Sequence, residues 1–67
     1  MDRELLRYKA AKLGHNLSDV AEMIGVNQST FYRKLGGVSD FTRIEILLIR
    51  NALQLTSEEV DAIFFGE

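Results

Sequence analysis

Glycines and polar cap residues punctuate this chain at intervals that leave room for short helices and little else. Gly14, Gly25 and Gly36-Gly37 each follow a stretch with helical apolar spacing, where a C-terminal cap belongs. Proline is absent and glycine is sparse, which favours helices over a turn-rich β fold. The expected class is all-α, a compact domain of five helices.

The first helix is expected from Asp2 to Leu13, with Leu6, Ala10 and Leu13 on one face and the acids Asp2 and Glu4 at the positive end of its dipole. A second should start after the cap Asn16, with Asp19 at the third helical position and Val20, Ala21 and Ile24 facing inward. A third should start after Asn27 and run to about Leu35, with Phe31 and Leu35 as its apolar pair. Thr42 with Glu45 is a capping-box pattern and predicts a helix over 43–54. Thr56 with Glu59 repeats it before a helix over 57–65 that buries Val60, Ile63 and Phe64.

With 67 residues there is room for one domain, residues 1–67. A chain this short buries only roughly 60% of its unfolded surface, so its stability is marginal. Cysteine is absent, which excludes disulfides and thiolate zinc sites. The single His15 does not make a metal site unaided and reads as a partly buried turn residue. The longest apolar runs, Ile46–Ile49 among them, are far too short for a bilayer, and Met1-Asp2-Arg3-Glu4 does not lead into a signal-peptide segment. A cytoplasmic protein without a membrane partner is the expectation.

The net charge of −2 weighs against nucleic-acid binding, which needs cations for phosphate. The distribution matters more than the sum. Residues 1–50 hold all 8 basic side chains against 6 acids, whereas residues 51–67 hold Glu58, Glu59, Asp61 and Glu67 and no base. A basic body with an acidic last helix can still present one positive face, because only charge within about 8–10 Å acts strongly at a DNA surface.

The spacing from Ala21 to Phe31 carries the functional signal. A small residue stands in mid-helix, Gly25 follows four positions later, then apolar Val26, the cap Asn27, and Phe31 four residues into the next helix. Two helices crossing at about 90–120° through a three-to-four-residue turn require this pattern: Ala21 permits close approach, Gly25 takes the tight turn, Val26 fills the gap and Phe31 anchors the second helix. That second helix then projects Gln28, Ser29, Tyr32 and Arg33, side chains able to bond base edges in a major groove.

Residues Asn16 to Arg33 (NLSDVAEMIGVNQSTFYR) resemble the helix-turn-helix of the lambda-repressor/Cro (XRE) family, and Phe41-Thr42-Arg43-Ile44-Glu45-Ile46 followed by Ile63-Phe64-Phe65 is similar to small phage-encoded regulators of that group. The resemblance implies a five-helix lambda-repressor-like domain, helix-turn-helix formed by the second and third helices, binding to double-stranded operator DNA, and a homodimer on a two-fold symmetric site. It implies base contacts from Gln28, Ser29, Tyr32 and Arg33. It implies DNA-backbone contacts from Asn16 and Leu17 through their main chain and from Thr42 and Arg43, with Asn27 and Lys34 added to that set. Two positions depart from the family pattern: His15 replaces a usual apolar residue, and Leu17 stands where Gln is frequent.

The predicted fourth helix is apolar on two faces. Ile46, Ile49 and Leu53 serve the core, while Ile44, Leu47 and Leu48 point elsewhere, Asn51 and Leu55 extend that side, and Phe65 lies beside them. A small domain does not bury both faces, so Ile44, Leu47, Leu48 and Phe65 are expected at a dimer contact. No enzyme motif, cofactor loop, metal set or small-molecule pocket is expected. The leading expectation is a transcriptional regulator acting by operator occupancy, a repressor of the Cro/C1 type. The alternative is a protein-interaction module, an antirepressor or antitoxin-like partner, using the acidic last helix and the surplus apolar surface.

Overall fold

The computed structural model describes residues 1–66. They form five α-helices: α1 (Arg3–Lys12), α2 (Leu17–Met23), α3 (Gln28–Leu35), α4 (Arg43–Leu53) and α5 (Ser57–Phe64), with no strand among the described residues. Of the acids expected near the C-terminus, Glu67 lies outside the described residues.

Each helix starts where a side chain satisfies amides that the helix itself leaves open. The Asp2 carboxylate accepts from Leu5 N at 3.0 Å. At α2, Asn16 Oδ1 accepts from Asp19 N at 2.7 Å while Asp19 Oδ2 accepts from Asn16 N at 2.9 Å. Asn27 Oδ1 accepts from Ser29 N at 2.9 Å. The Thr42–Glu45 and Thr56–Glu59 boxes close in the same way, with carboxylate contacts of 2.8 Å to each cap amide. A cap of this kind contributes about 1 kcal/mol, a large increment for so small a domain.

All five helices contribute to one core: Leu6 and Ala10 of α1, Leu17, Val20 and Ala21 of α2, Phe31 and Leu35 of α3, Ile49 and Leu53 of α4, Val60 and Ile63 of α5. Phe31 is the largest fully buried side chain. Its ring meets Phe41 edge-on at 5.4 Å between centroids, and Phe41 meets Phe64 at 5.7 Å, so an aromatic line runs from α3 across the α3–α4 connection to α5. Asp2 N donates to Ile63 O at 2.7 Å, which ties the chain's beginning to α5.

The structure corrects several sequence expectations. Leu13 has the right phase for the inner face of α1, but the helix ends at Lys12 and Leu13 is its C-cap, 43% exposed. His15 N donates back to Ala10 O, so the chain has already turned away from the core where Leu13 stands. The fourth helix ends at Leu53 rather than 54, because Gln54 adopts a left-handed conformation with φ of 55°. That turn swings Leu55 inward, with its N–H on Arg50 O at 2.9 Å, so Leu55 is a core residue and not part of an outer face of α4. The last helix ends at Phe64, one residue early.

Candidate nucleic-acid interface

Helices α2 and α3 are joined by residues 24–27. Gly25 has φ of +74°, and its N–H donates to Glu22 O at 3.1 Å. A Cβ added there would meet no atom within 4 Å, so a side chain would cost only backbone strain, about 1–2 kcal/mol. Val26 N donates to Ala21 O at 3.0 Å, and the Val26 side chain packs half-buried against the core. Ala21 is fully buried, which permits the close approach of the second helix.

With Phe31 and Leu35 inward, the opposite side of α3 carries Gln28, Ser29, Tyr32 and Arg33, all exposed. Gln28 and Tyr32 are one helical turn apart, as are Ser29 and Arg33, so the four share one face. Their hydrogen bonds differ. The Ser29 hydroxyl donates to Asn27 Oδ1 at 2.6 Å, which leaves its oxygen to accept from the amino group of a base. Arg33 donates from Nη2 to Thr30 Oγ1 at 3.4 Å, a long contact that leaves most of its guanidinium donors to the surroundings. The Tyr32 hydroxyl lies 3.0 Å from Ser18 Oγ, and its ring meets Phe31 edge-on, so this side chain braces α3 against α2.

The residues expected at phosphates separate into two groups. Asn16, Thr42 and Arg43 are exposed at helix starts. Asn16 and Thr42 spend their side-chain oxygens on capping, whereas Arg43 makes no ion pair among the described residues. Asn27 is exposed but uses its carbonyl oxygen on Ser29. The Leu17 side chain is buried in the core and offers only its backbone.

Lys34, expected at the DNA backbone, has an internal partner in the structure. Its ammonium donates to Glu45 Oε1 at 2.6 Å, both side chains are largely covered, and it lies over the Phe41 ring at 6.0 Å. Burial pushes the Glu45 carboxyl up, but hydrogen bonds from Lys34 and from Thr42 N–H, with the charge of Lys34, outweigh that and hold its pKa below the ordinary range. Lys34 therefore fixes the start of α4, with Thr42 and Arg43, to the end of α3.

The sequence reading missed Arg7. It is exposed on α1 and lines a cleft with His15, Asn16 and Tyr32, beside the exposed face of α3. Its signal was weak: α1 shows an apolar stripe, and cations on the other side read as ordinary hydrated surface.

On another side of the molecule, Ile44, Leu47, Leu48 and Phe65 are exposed, Ile44 by 70% and Phe65 by 60%. Leu47 and Phe65 line an apolar cleft of about 470 Å³ with Phe41, Arg43, Ile46 and Val60. Among the described residues, no helix is long and apolar enough to cross a membrane. Compared with models of protein families, with curated proteins and with solved structures, the chain matches none.

Proposed function

We propose that this chain is a sequence-specific DNA-binding regulator, a cytoplasmic repressor of the phage kind that its sequence resembles, reading operator DNA with α3. One observation carries the reading. α3 is anchored from below by fully buried Phe31 and turns a face of polar side chains outward, Gln28, Ser29, Tyr32 and Arg33, beyond a turn closed by left-handed Gly25. Gln suits adenine, Arg suits guanine, and Ser29 can accept from an amino group. Arg43 at the start of α4 supplies a cation for the phosphate backbone.

Two copies act together in this reading. Half-sites one helical turn apart are separated by about 34 Å, more than the 26 Å longest extent of the domain, so one copy does not reach both. The apolar side chains Ile44, Leu47, Leu48 and Phe65 favour pairing through α4 and α5. Exposed Arg50 on α4 complements exposed Glu58 and Asp61 on α5 across such a contact. Occupancy of the operator then blocks polymerase.

Binding of DNA upstream of the chain's own gene, followed by gel shift at two salt concentrations, tests the reading. Arg33→Ala is expected to relax preference at one base pair, at a cost of about 1–3 kcal/mol, while Arg43→Ala weakens binding to all sequences and shallows the salt dependence. Parent-like binding by both variants overturns the assignment. The exposed apolar side of α4 and acidic α5 favour a second reading, a module that captures another protein as an antirepressor would. Such a module ignores duplex DNA and keeps its partner in moderate salt.

A further inference from the structure

Two lysines of this domain make the same kind of clasp at different places. Lys9 of α1 pairs with Glu59 and Lys34 of α3 pairs with Glu45, and each glutamate also closes a capping box, on α5 and α4 respectively. The two clasps differ in one atomic detail. Glu59 divides its work, Oε1 accepting from Thr56 N and Oε2 meeting Lys9. Glu45 concentrates it: Oε1 accepts both from Lys34 Nζ at 2.6 Å and from Thr42 N at 2.8 Å. One oxygen therefore links the end of α3 to the amide that opens α4.

That link stands where the fold has few others. α3 packs on α2, and α4 packs on α2 and α5, while α3 and α4 share little backbone contact. The segment between them holds Gly36 and Gly37, the latter with φ of +87°, and then exposed Val38, Ser39 and Asp40. Among the described residues, no backbone amide of 39–41 donates to another backbone group. Two side chains bridge the gap. Phe41 lies against Phe31 and Phe64, and Lys34 crosses the Phe41 ring at 6.0 Å to reach Glu45. The two partners are only 12% and 16% exposed, so the pair is shielded from the water and salt that weaken an ion pair on an open surface. Lys34 directly follows Arg33, and Glu45 stands two residues after Arg43. The clasp thus joins the segment that carries the proposed base-reading arginine to the one that carries the proposed phosphate-binding arginine.

We propose that Lys34 is a positioning residue for DNA recognition: through Glu45 it sets Arg33 and its neighbours on α3 relative to Arg43 on α4, and so governs sequence preference without contacting DNA. The inference rests on the DNA-binding reading and deepens it, because base contacts specify only in the register that backbone contacts fix.

The quantity to measure is preference, the ratio of affinities for a duplex that the parent selects from a random-sequence pool and for a scrambled duplex of equal composition. Fluorescence anisotropy at about 0.1 M salt gives both affinities. Lys34→Met removes a positive charge and Glu45→Gln a negative one, and Gln still serves a capping box. Affinity for the scrambled duplex should therefore move in opposite directions, down for Lys34→Met and up for Glu45→Gln. Preference should fall in both, by about ten-fold, within the range of mutations that act on a site without touching its ligand. Lys34→Arg keeps a charged hydrogen bond to Glu45 and should hold preference within about two-fold of the parent. Lys9→Met is the control, because it breaks the matching clasp between α1 and α5 with the same loss of charge. It should lower the urea midpoint and leave preference unchanged.

Parent-like or raised preference in Glu45→Gln overturns the positioning role and leaves the DNA-binding reading intact, since a released Lys34 then serves recognition as well or better. An equal fall of preference in Lys9→Met also overturns it, because lost stability or charge alone would then suffice. A parent that selects no duplex from the pool overturns both. If circular dichroism shows Lys34→Met unfolded, Glu45→Gln, which keeps the cap of α4, decides the question.

Discussion

Helices α3 and α4 each bury one apolar face, and what they leave outside is opposite. α3 shows water Gln28, Ser29, Tyr32 and Arg33, whereas α4 shows it Ile44, Leu47 and Leu48. A polar outer face is content in water and exchanges one set of hydrogen bonds for another when a ligand arrives. An apolar outer face gains about 25 cal/mol for every Å² that a partner covers. Under the proposed function, that difference would put specificity on α3 and association on α4, with Lys34–Glu45 joining the two helices.

The largest break in this comparison comes from beneath α3. Phe31 is wholly buried and touches Tyr32 and Phe41 edge-on, so Phe31→Ala removes both the anchor and the aromatic line to α5. The expected cost is about 3–5 kcal/mol. At about 0.05–0.15 kcal/mol per residue, that is much of what a domain this small possesses. Urea unfolding followed by circular dichroism should show the transition moved to very low denaturant or lost. A variant that melts like the parent would mean that α3 is held chiefly by its caps.

The outer face of α4 should behave in the opposite way. Ile44→Asp combined with Leu47→Asp alters two exposed positions and is expected to change domain stability by less than about 1 kcal/mol, because surface substitutions seldom do more. Self-association is the property that moves. Sedimentation at tens of micromolar, a range in which a dimer of about micromolar affinity persists, should show a dimeric parent and a monomeric double variant. A monomeric parent removes the association role from α4.

Most of the helix starts and the turn between α2 and α3 were legible because their determinants are local. Asn16, Asn27, Thr42 and Thr56 act on amides two or three residues away, and Gly25 acts on its own backbone. What sequence alone missed depends on distant partners or on helix ends. Lys34 looks like any surface lysine until Glu45, 11 residues on, is brought against it by the packing of α4. Leu55 follows the apolar phase of α4 until Gln54 turns left-handed, a conformation with no glycine to announce it. Leu13 keeps the phase of α1 past the point where the helix stops. Arg7 becomes a candidate only when folding sets it beside His15, Asn16 and Tyr32. The polar face of α3 was legible as a face; the tether of Tyr32 to Ser18 was not.

The two lysine clasps sharpen the comparison through pH. The hydrogen bond from Lys9 holds the Glu59 carboxyl at about 2, well below its ordinary 4.5, and Glu45 is also lowered by Lys34 and Thr42 against the opposing effect of burial. Both folded-state values lie below the unfolded ones. Their stabilisation is therefore complete above the ordinary carboxylate value and is lost as pH falls, toward about 2 for Glu59. Urea midpoints measured from neutral pH downward should fall in that window, and Lys9→Met should flatten the fall. An acid limb unchanged by Lys9→Met would show that the α1–α5 clasp contributes nothing to stability.

The smallest expected effect separates two roles for Tyr32. Its hydroxyl lies on Ser18 Oγ at 3.0 Å, and both groups face solvent, so water replaces the lost bond readily. Tyr32→Phe should cost about 0.5 kcal/mol of stability, the low end for a hydrogen bond. DNA binding carries the sharper information. If the hydroxyl serves only to brace α3 on α2, then Tyr32→Phe and Ser18→Ala weaken operator binding alike, and the double variant is no worse than either. If the hydroxyl itself meets a base, Tyr32→Phe loses affinity that Ser18→Ala retains. The double-mutant cycle measures the coupling directly. Strong coupling makes Tyr32 a brace, and the reading face then narrows to Gln28, Ser29 and Arg33; negligible coupling, with loss confined to Tyr32→Phe, keeps all four residues on it.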